Sequence, residues 1–459
     1  MADAINPKPD ARAWWLLVAL SLPMVALSVD ANGVVVLLPA IGRSLRADLS
    51  GMSAVVTISS ITFAAPLLLV GRLAGPVGIR RMLLAGVAAF AVASALCATT
   101  DTYTVLIGGR ALQGVAAAAC FATSLAVIAT AFPDDRLPFA IGIWAALGGV
   151  GSALGPLIAG VVYAIASWRV FFAINVVVLA AALVALLVLT PRSIPADSAP
   201  IPVARLLGLT GGLVLVFAAL QNASDGGFLS ALVIAPLLGG VLVTAVTIRG
   251  ARSPLISTEV TRAATFRLGT AEATLSNWGS GVLMVLVPSA LQVDRGLSVV
   301  RAGLVFMAFS VTFAVGGALT GRFNSRFGGS RTLALGSGVL ALGLLAFGIA
   351  GIEVPLGWLL AILAVAGFGN GLVYSGSTSY GLAGIDDDLA AEASALLNML
   401  RVLGMVLAIS ISQTMLFMID GDRVTAGDAG LRVALLVAAV IVAVGVPIAR
   451  PRRSELSRR

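Results

Sequence analysis

Apolar residues run through this chain in long unbroken stretches, and polar residues gather between them. Fourteen stretches approach the roughly 20 residues that a helix needs to cross the hydrocarbon core of a bilayer. They begin near Trp14, Met52, Met82, Tyr103, Phe139, Trp168, Leu206, Phe228, Arg267, Val300, Thr332, Leu356, Glu392 and Gly430. The stretch after Leu206 is the weakest, being short and glycine-rich before the polar segment from Gln221 to Gly227. The connections between stretches leave no room for a soluble domain. The pattern predicts an all-α integral membrane protein with fourteen transmembrane helices. The first stretch follows Lys8 and Arg12, contains an acid and is longer than a signal-peptide core, so it is expected to stay as helix 1.

Composition narrows the function. Of 459 residues, 59% are hydrophobic and 11% charged, against about 25% charged in a soluble domain. A soluble enzyme is thereby excluded. The net charge of +8 comes from 29 basic and 21 acidic residues, but the basic set is one Lys and 28 Arg placed mostly between apolar stretches. That distribution sets membrane orientation and gives no basis for nucleic-acid binding. With a cytoplasmic N-terminus, twenty basic residues fall inside, seven outside, and Arg110 and Arg401 within the membrane. The bias predicts two cytoplasmic termini and an even number of spans in the cell membrane. The basic tail from Arg450 sets topology or rests against anionic head groups. There is no His, and Cys97 and Cys120 lie inside apolar stretches with no CxxC pair. No HExxH motif or lysine-bearing phosphate loop occurs, so no metal, cofactor or enzymatic role is expected.

Two cytoplasmic connections repeat. One runs from Gly71 to Arg81 and includes Gly78, Arg80 and Arg81. The other runs from Gly321 to Arg331 and includes Arg322, Arg326 and Gly328. Both open with Gly-Arg, carry Gly at the eighth position and end on Arg, 250 residues apart. The repeat predicts two related six-helix halves, residues 1–200 and 251–459, with spans 7 and 8 at 201–250 as a peripheral inserted pair. Repeated halves enclosing a site at their interface are a secondary-transporter architecture.

Charges inside a membrane are costly and call for a reason. Asp30 lies about nine residues, or roughly 13 Å, from the outer end of helix 1. Arg110 lies seven residues beyond Tyr103 in helix 4, roughly 10 Å from the same side. The two are expected at similar depth, as a transport site or a structural ion pair. Burial disfavours a charged carboxyl and a guanidinium favours it, and a carboxyl balanced between them is suited to carry a proton. Asn32, Gln113, Asn398, Arg401 and Glu272 are further candidates for a polar cavity. Arg401 is too deep to reach either surface and is expected beside Asn398, whereas Glu272 is placed to snorkel to the cytoplasmic interface. Helix 5 carries Gly151, Gly155, Pro156 and Gly160 among other small residues. Such spacing permits close backbone packing, expected here against a helix of the opposite half.

Together these residues resemble the major facilitator superfamily, and within it the fourteen-helix drug:proton antiporters. The Gly71–Arg81 loop is similar to the superfamily's helix 2–3 signature. Leu106 to Gly114 resembles its helix-4 signature, whose Arg, here Arg110, is linked to proton coupling. Gly151 to Gly160 resembles the antiporter motif of helix 5, and Ser167 to Asn175 the start of helix 6. Asp30, Val34, Val36, Leu38 and Pro39 keep the spacing of the helix-1 motif. Departures are Gly75 and Pro76 for the usual Asp and Arg, Asn32 and Val35 for Thr and Asn, and Ala116 and Ala159 for glycines. The resemblance implies a single-copy exporter whose partners are protons, the bilayer and a small amphipathic or cationic organic substrate. Asp30 and Arg110 would serve coupling, with protonation of Asp30 changing the local charge and so the substrate affinity. Export of one endogenous metabolite or self-made antibiotic, and a transport-inactive sensor or scaffold, fit the same residues.

Overall fold

The computed structural model of the protein describes residues 11–47, 49–133, 137–192, 203–226, 230–249, 257–385, 387–420 and 428–448. Lys8, Arg136, Arg252, Arg423 and the basic tail from Arg450 lie outside the described residues. The regular elements among the described residues are all helical. The first group is α1 (Ala11–Leu45), α2 (Leu49–Ala64), α3 (Leu67–Val77), α4 (Ile79–Thr99), α5 (Tyr103–Ala131), α6 (Leu137–Ile165) and α7 (Trp168–Leu189). Next come α8 (Val203–Gly226), α9 (Ala231–Arg249) and the short α10 (Thr258–Arg262). The last group is α11 (Ala264–Val293), α12 (Val299–Phe327), α13 (Gly329–Ala350), α14 (Leu356–Leu382), α15 (Asp387–Asp420), α16 (Asp428–Ala443) and α17 (Gly445–Ile448). Among the described residues ten helices are long and apolar enough to cross a membrane, or eleven if α2 and α3 form one span bent by 52°. That bend falls at Pro66, which cannot supply the helix N–H its position requires.

Helix α1 does not end near Pro39, as the hydropathy pattern suggested, but continues to Leu45. Pro39 disturbs the hydrogen-bond ladder, and Gln292 Nε2 of α11 donates to the nearby Val36 carbonyl at 2.8 Å. The residues from Val34 to Gly42 are all buried, so tertiary packing carries the helix past the proline. Likewise α8 continues through the polar segment after Leu220 as far as Gly226.

Two large apolar cores organise the molecule. One joins α1, α4, α5, α6 and α7 around Leu83, Val87, Phe90, Val127, Leu179 and Leu186. The other joins α11 to α16 around Leu286, Phe306, Leu344, Phe347, Leu363 and Leu435. The groups meet where α6 packs on α12, α1 on α11, and α2 and α3 on α15. Helix α9 packs mainly on α8, which lies against α15 and α2. Leu232, Leu238, Leu242 and Val246 of α9 face outward and exposed. Together with Val177, Val184 and Val188 of α7 and Ile349 of α13, they form an apolar exterior suited to lipid.

The two repeated connections have the same local geometry. Gly78 lies between α3 and α4 with φ +95°, and Gly328 between α12 and α13 with φ +84°. A side chain at either position would be strained in this left-handed region, which explains a glycine at the eighth place of both segments.

Candidate functional site

Asp30 is the buried acid of α1, 3% exposed, and Arg110 of α5 is 1% exposed. Arg110 Nη1 donates to Asp30 Oδ2, and Asn175 Nδ2 of α7 donates to Asp30 Oδ1 at 2.9 Å. The rest of the guanidinium is also engaged. Nε donates to the Val55 carbonyl of α2 at 2.9 Å, Nη2 to Ser59 Oγ at 2.8 Å, and Nη1 to Gln113 Oε1 at 2.8 Å. Gln113 Nε2 in turn donates to Ser94 Oγ of α4 at 2.9 Å. Five helices thus converge on one ion pair whose polar atoms are satisfied, the condition under which a buried pair is tolerated. The pairing of Asp30 with Arg110 is the one helix counting predicted. Ser59 and Asn175 complete the site. Ser59 carried no signal in its apolar stretch, and Asn175 was visible only as the last residue of the helix-6 motif.

The other candidates separate. Asn32 donates to the Ser28 carbonyl of its own helix at 2.9 Å and does not join the pair. Arg401 and Asn398 do come together, with Nη1 donating to Asn398 Oδ1 at 2.9 Å. Glu272 does not reach an interface: it is 0% exposed and accepts from Ser337 Oγ of α13 at 2.5 Å. Its carboxyl lies against Gly445, on the side of α11 turned to α13 and α17 and away from Arg401. The seven-residue spacing to Gly279, which meets Leu344 and Val442, places both on that outward side.

The glycines of α6 face two ways. A Cβ on Gly151 would meet the Val25 carbonyl oxygen at 2.9 Å, and one on Gly155 the Val29 carbonyl oxygen at 2.8 Å. Both therefore pack on α1 of the same group, which corrects the expectation for Gly155 alone: α6 does meet α12 of the other group, through the Pro156 carbonyl oxygen against Gly303 and through Gly160, whose Cβ position is 3.0 Å from Val300 Cα.

Among the loop residues, Arg72 Nη2 of α3 reaches Glu392 Oε2 of α15 at 2.7 Å. Arg80 donates to the carbonyls of Leu187 and Thr190 at 2.8 and 3.3 Å and closes the end of α7. Gly71 and Gly321 face open space. Arg322 is exposed, and Arg326 lies 5.4 Å from the Phe327 ring. Arg81 approaches Gly78.

On α5, Phe121 pairs with Phe63 of α2 and Trp144 of α6 at 5.8 and 5.4 Å between ring centroids. A small pocket opens beside it, lined by Met24, Leu27, Cys120, Phe121, Ser124 and Trp144. Hydropathy gave no hint of this pocket, because its lining is as apolar as the lipid-facing surface.

The family model described as Major Facilitator Superfamily matches residues 20–409. The chain belongs to the major facilitator superfamily. Its superfamily relatives include the Methylenomycin A resistance protein of Bacillus subtilis, 28% identical over 86% of each chain. They also include the Multidrug efflux pump LfrA of Mycolicibacterium smegmatis, 30% identical over 86% of this chain and 79% of that one. The fold agrees with that of the human organic anion transporter MFSD10, with a TM-score of 0.66 at 16% identity over 97% of this chain and 100% of the other. The protein is thus a multi-pass membrane transporter of this superfamily, with drug-efflux and resistance proteins among its relatives.

Proposed function

We propose that this protein exports small amphipathic organic compounds across the cell membrane in exchange for protons, with Asp30 as the proton carrier. The observation that carries the reading is the buried Asp30–Arg110 pair shared among α1, α2, α4, α5 and α7. Its chemistry suits coupling because one proton changes it wholly. Protonated Asp30 loses its charge-assisted bond to Arg110, while Arg110 keeps Val55, Ser59 and Gln113. The tie between α1 and α5 is then weakened without dismantling the network around it. Protonation from outside would favour one arrangement of the halves and release to the inside the other, so that substrate and proton move in opposite directions. The closeness of Asp30 to Arg110 also argues against a fixed preference for cations, since the acid's charge is already matched.

In this reading α1–α7 and α11–α16 form the two halves, and α8 and α9 are an inserted peripheral pair. The bent α2–α3 counts as one span, and α8, α9 and α16 join it and the ten long apolar helices to give fourteen. Both termini then face the cytoplasm. The separate cores, the outward position of α9 and the matched Gly78 and Gly328 junctions support it.

The test is pH-gradient-driven flux in proteoliposomes, with cationic, neutral and anionic amphiphiles. Asp30→Asn keeps the shape of the side chain and removes its titration. Flux driven by the gradient is expected to disappear in this variant while the chain still binds substrate. A wild-type rate with wild-type pH dependence would show that Asp30 is structural.

A further inference from the structure

The second intramembrane arginine is arranged differently from the first. Arg401 on α15 is 3% exposed, yet among the described residues no carboxylate lies within ion-pair distance of it. Its acceptors are all neutral. Nη1 donates to Asn398 Oδ1 at 2.9 Å, and Nη2 to the Tyr374 carbonyl, Ser377 Oγ and Thr378 Oγ1 at 3.0, 2.9 and 2.8 Å. Its Nε is buried with no hydrogen-bond partner. Dipoles hold the guanidinium in place, but its positive charge is not neutralised. A buried cation lacking a counter-ion is costly. The other intramembrane arginine, Arg110, has a carboxylate beside it; Arg401 does not.

The surroundings say where an anion would come from. Tyr374 stacks on Arg401, with the guanidinium carbon 3.9 Å from the ring centroid, and remains 38% exposed. Helix α14, which bears Tyr374, is enclosed by α11, α12 and α13 and makes no substantial contact with α1–α7 among the described residues. Its flanking helices do make such contacts, α12 with α6 and α15 with α2 and α3. Tyr374 touches Phe313 of α12 and Arg401 of α15, so its exposed edge lies between the two helices that meet the first group. Phe313 of α12 meets Tyr374 edge-on at 5.4 Å, and Phe309 and Phe306 stack behind it in the buried core of this group.

We propose that Arg401 and Tyr374 form the head-group subsite of the transport cavity, and that the substrates it selects are amphipathic organic anions with an aromatic body, carboxylates above all. The carboxylate pairs with the guanidinium, whose planar fork matches it, and the body lies against Tyr374 and Phe313. This assignment rests on the exporter reading and divides the labour within it. Arg401 recognises the substrate in one group of helices, and Asp30 carries the proton in the other.

Binding by the purified full chain in lipid nanodiscs, with no gradient, tests the subsite. Three probes share one ring system and differ in charge: 1-naphthoate, 1-naphthylmethanol and 1-naphthylmethylammonium. Wild type is expected to bind the carboxylate roughly tenfold or more tighter than the alcohol, as a charge-assisted bond permits, and the ammonium weakest. Arg401→Gln is expected to bring the carboxylate down to the level of the alcohol and leave the alcohol's affinity unchanged. Arg401→Lys keeps the charge without the fork, and is expected to preserve the order with a smaller gap. Equal binding of all three probes by wild type, a preference for the ammonium, or an equal loss for all three in Arg401→Gln overturns the proposal. Where Arg401→Gln does not fold, the wild-type order and Arg401→Lys still decide. The Asp30→Asn flux test is independent, so proton exchange and anion recognition fail separately.

Discussion

The Pro156 carbonyl oxygen of α6 lies 2.6 Å from the place a Cβ on Gly303 of α12 would occupy. Two backbones touch there, one from each group of helices, and no side chain fits between them. Gly160 and Val300 repeat the contact one turn further on. Gly303→Leu should therefore separate α6 from α12, with strain of about 1–3 kcal/mol, the range seen for overpacking. The expected outcome is normal membrane abundance, reduced flux, and faster reaction of a Val36→Cys reporter with an impermeant maleimide, because fully buried Val36 lies at this junction. Gly149→Ala is the control. Its Cβ would meet Ala314 at an ordinary 3.8 Å, and neither readout should change. Unchanged labelling in Gly303→Leu would count against the closed contact.

Arg110→Gln leaves the carboxyl of Asp30 buried with, among the described residues, Asn175 as its remaining hydrogen-bond partner. Breaking a buried pair from one side costs about 3–5 kcal/mol in proteins generally. The double variant Asp30→Asn, Arg110→Gln removes both charges and should unfold at a higher temperature than Arg110→Gln alone. Thermal unfolding of the four variants in one detergent measures the coupling. Strictly additive costs would mean that the two side chains do not depend on one another.

Much of this arrangement was legible in the residues, and what was not has a physical reason. An acid and an arginine at matched helical depth pointed to one another because a membrane leaves few ways to accommodate a charge. Arg401 was likewise legible as a deep cation beside Asn398, three residues away on one helix. Partners on distant helices were not. Nothing near Arg72 names Glu392, 320 residues away, because hydropathy fixes that helices cross but not which ones touch. Gly155 shows the same limit: its small side was evident, and the helix it faces was not. Glu272 was misplaced because its position along α11 was known and its angular direction was not.

Glu272 supplies a third prediction. Its carboxyl accepts from the Ser337 hydroxyl, its Oε1 has no hydrogen-bond partner among the described residues, and a Cβ on Gly445 would lie 2.7–2.8 Å from its oxygens. An amide oxygen accepts from Ser337 as a carboxyl does. Glu272→Gln should keep fold and flux, with stability within about 1 kcal/mol of wild type. Gly445→Val should not, because its side chain collides with the Glu272 carboxyl. Loss of proton-driven flux in a well-folded Glu272→Gln chain would bring this acid into the coupling mechanism beside Asp30.

The tie between Arg72 and Glu392 lies at a second junction between the groups, where α3 meets α15. Glu392 is nearly buried and Arg72 half-exposed, so the pair lies between the negligible worth of a surface bridge and the large one of a buried bridge. Glu392 Oε1 also accepts from the Ser257 backbone N–H at 2.5 Å, ahead of α10. One carboxylate thereby joins α3, α15 and the segment entering α10. The chain has Gly75 and Pro76 where the superfamily signature carries Asp and Arg, and Arg72 is the basic residue of that loop that reaches across to α15. Arg72→Ala removes the only charged partner of Glu392 among the described residues, and Glu392→Gln keeps an acceptor for Ser257 while removing the charge. Both should weaken the same closed contact, so each is expected to raise accessibility of a Leu69→Cys reporter, which is buried on the α3 side of that contact. The double variant should match the stronger single variant, since either change already breaks the bridge. The measurement is the maleimide labelling rate in inverted membrane vesicles for the four chains. If the two effects add in full, Arg72 and Glu392 act at separate contacts and the lock must be sought elsewhere along α3 and α15.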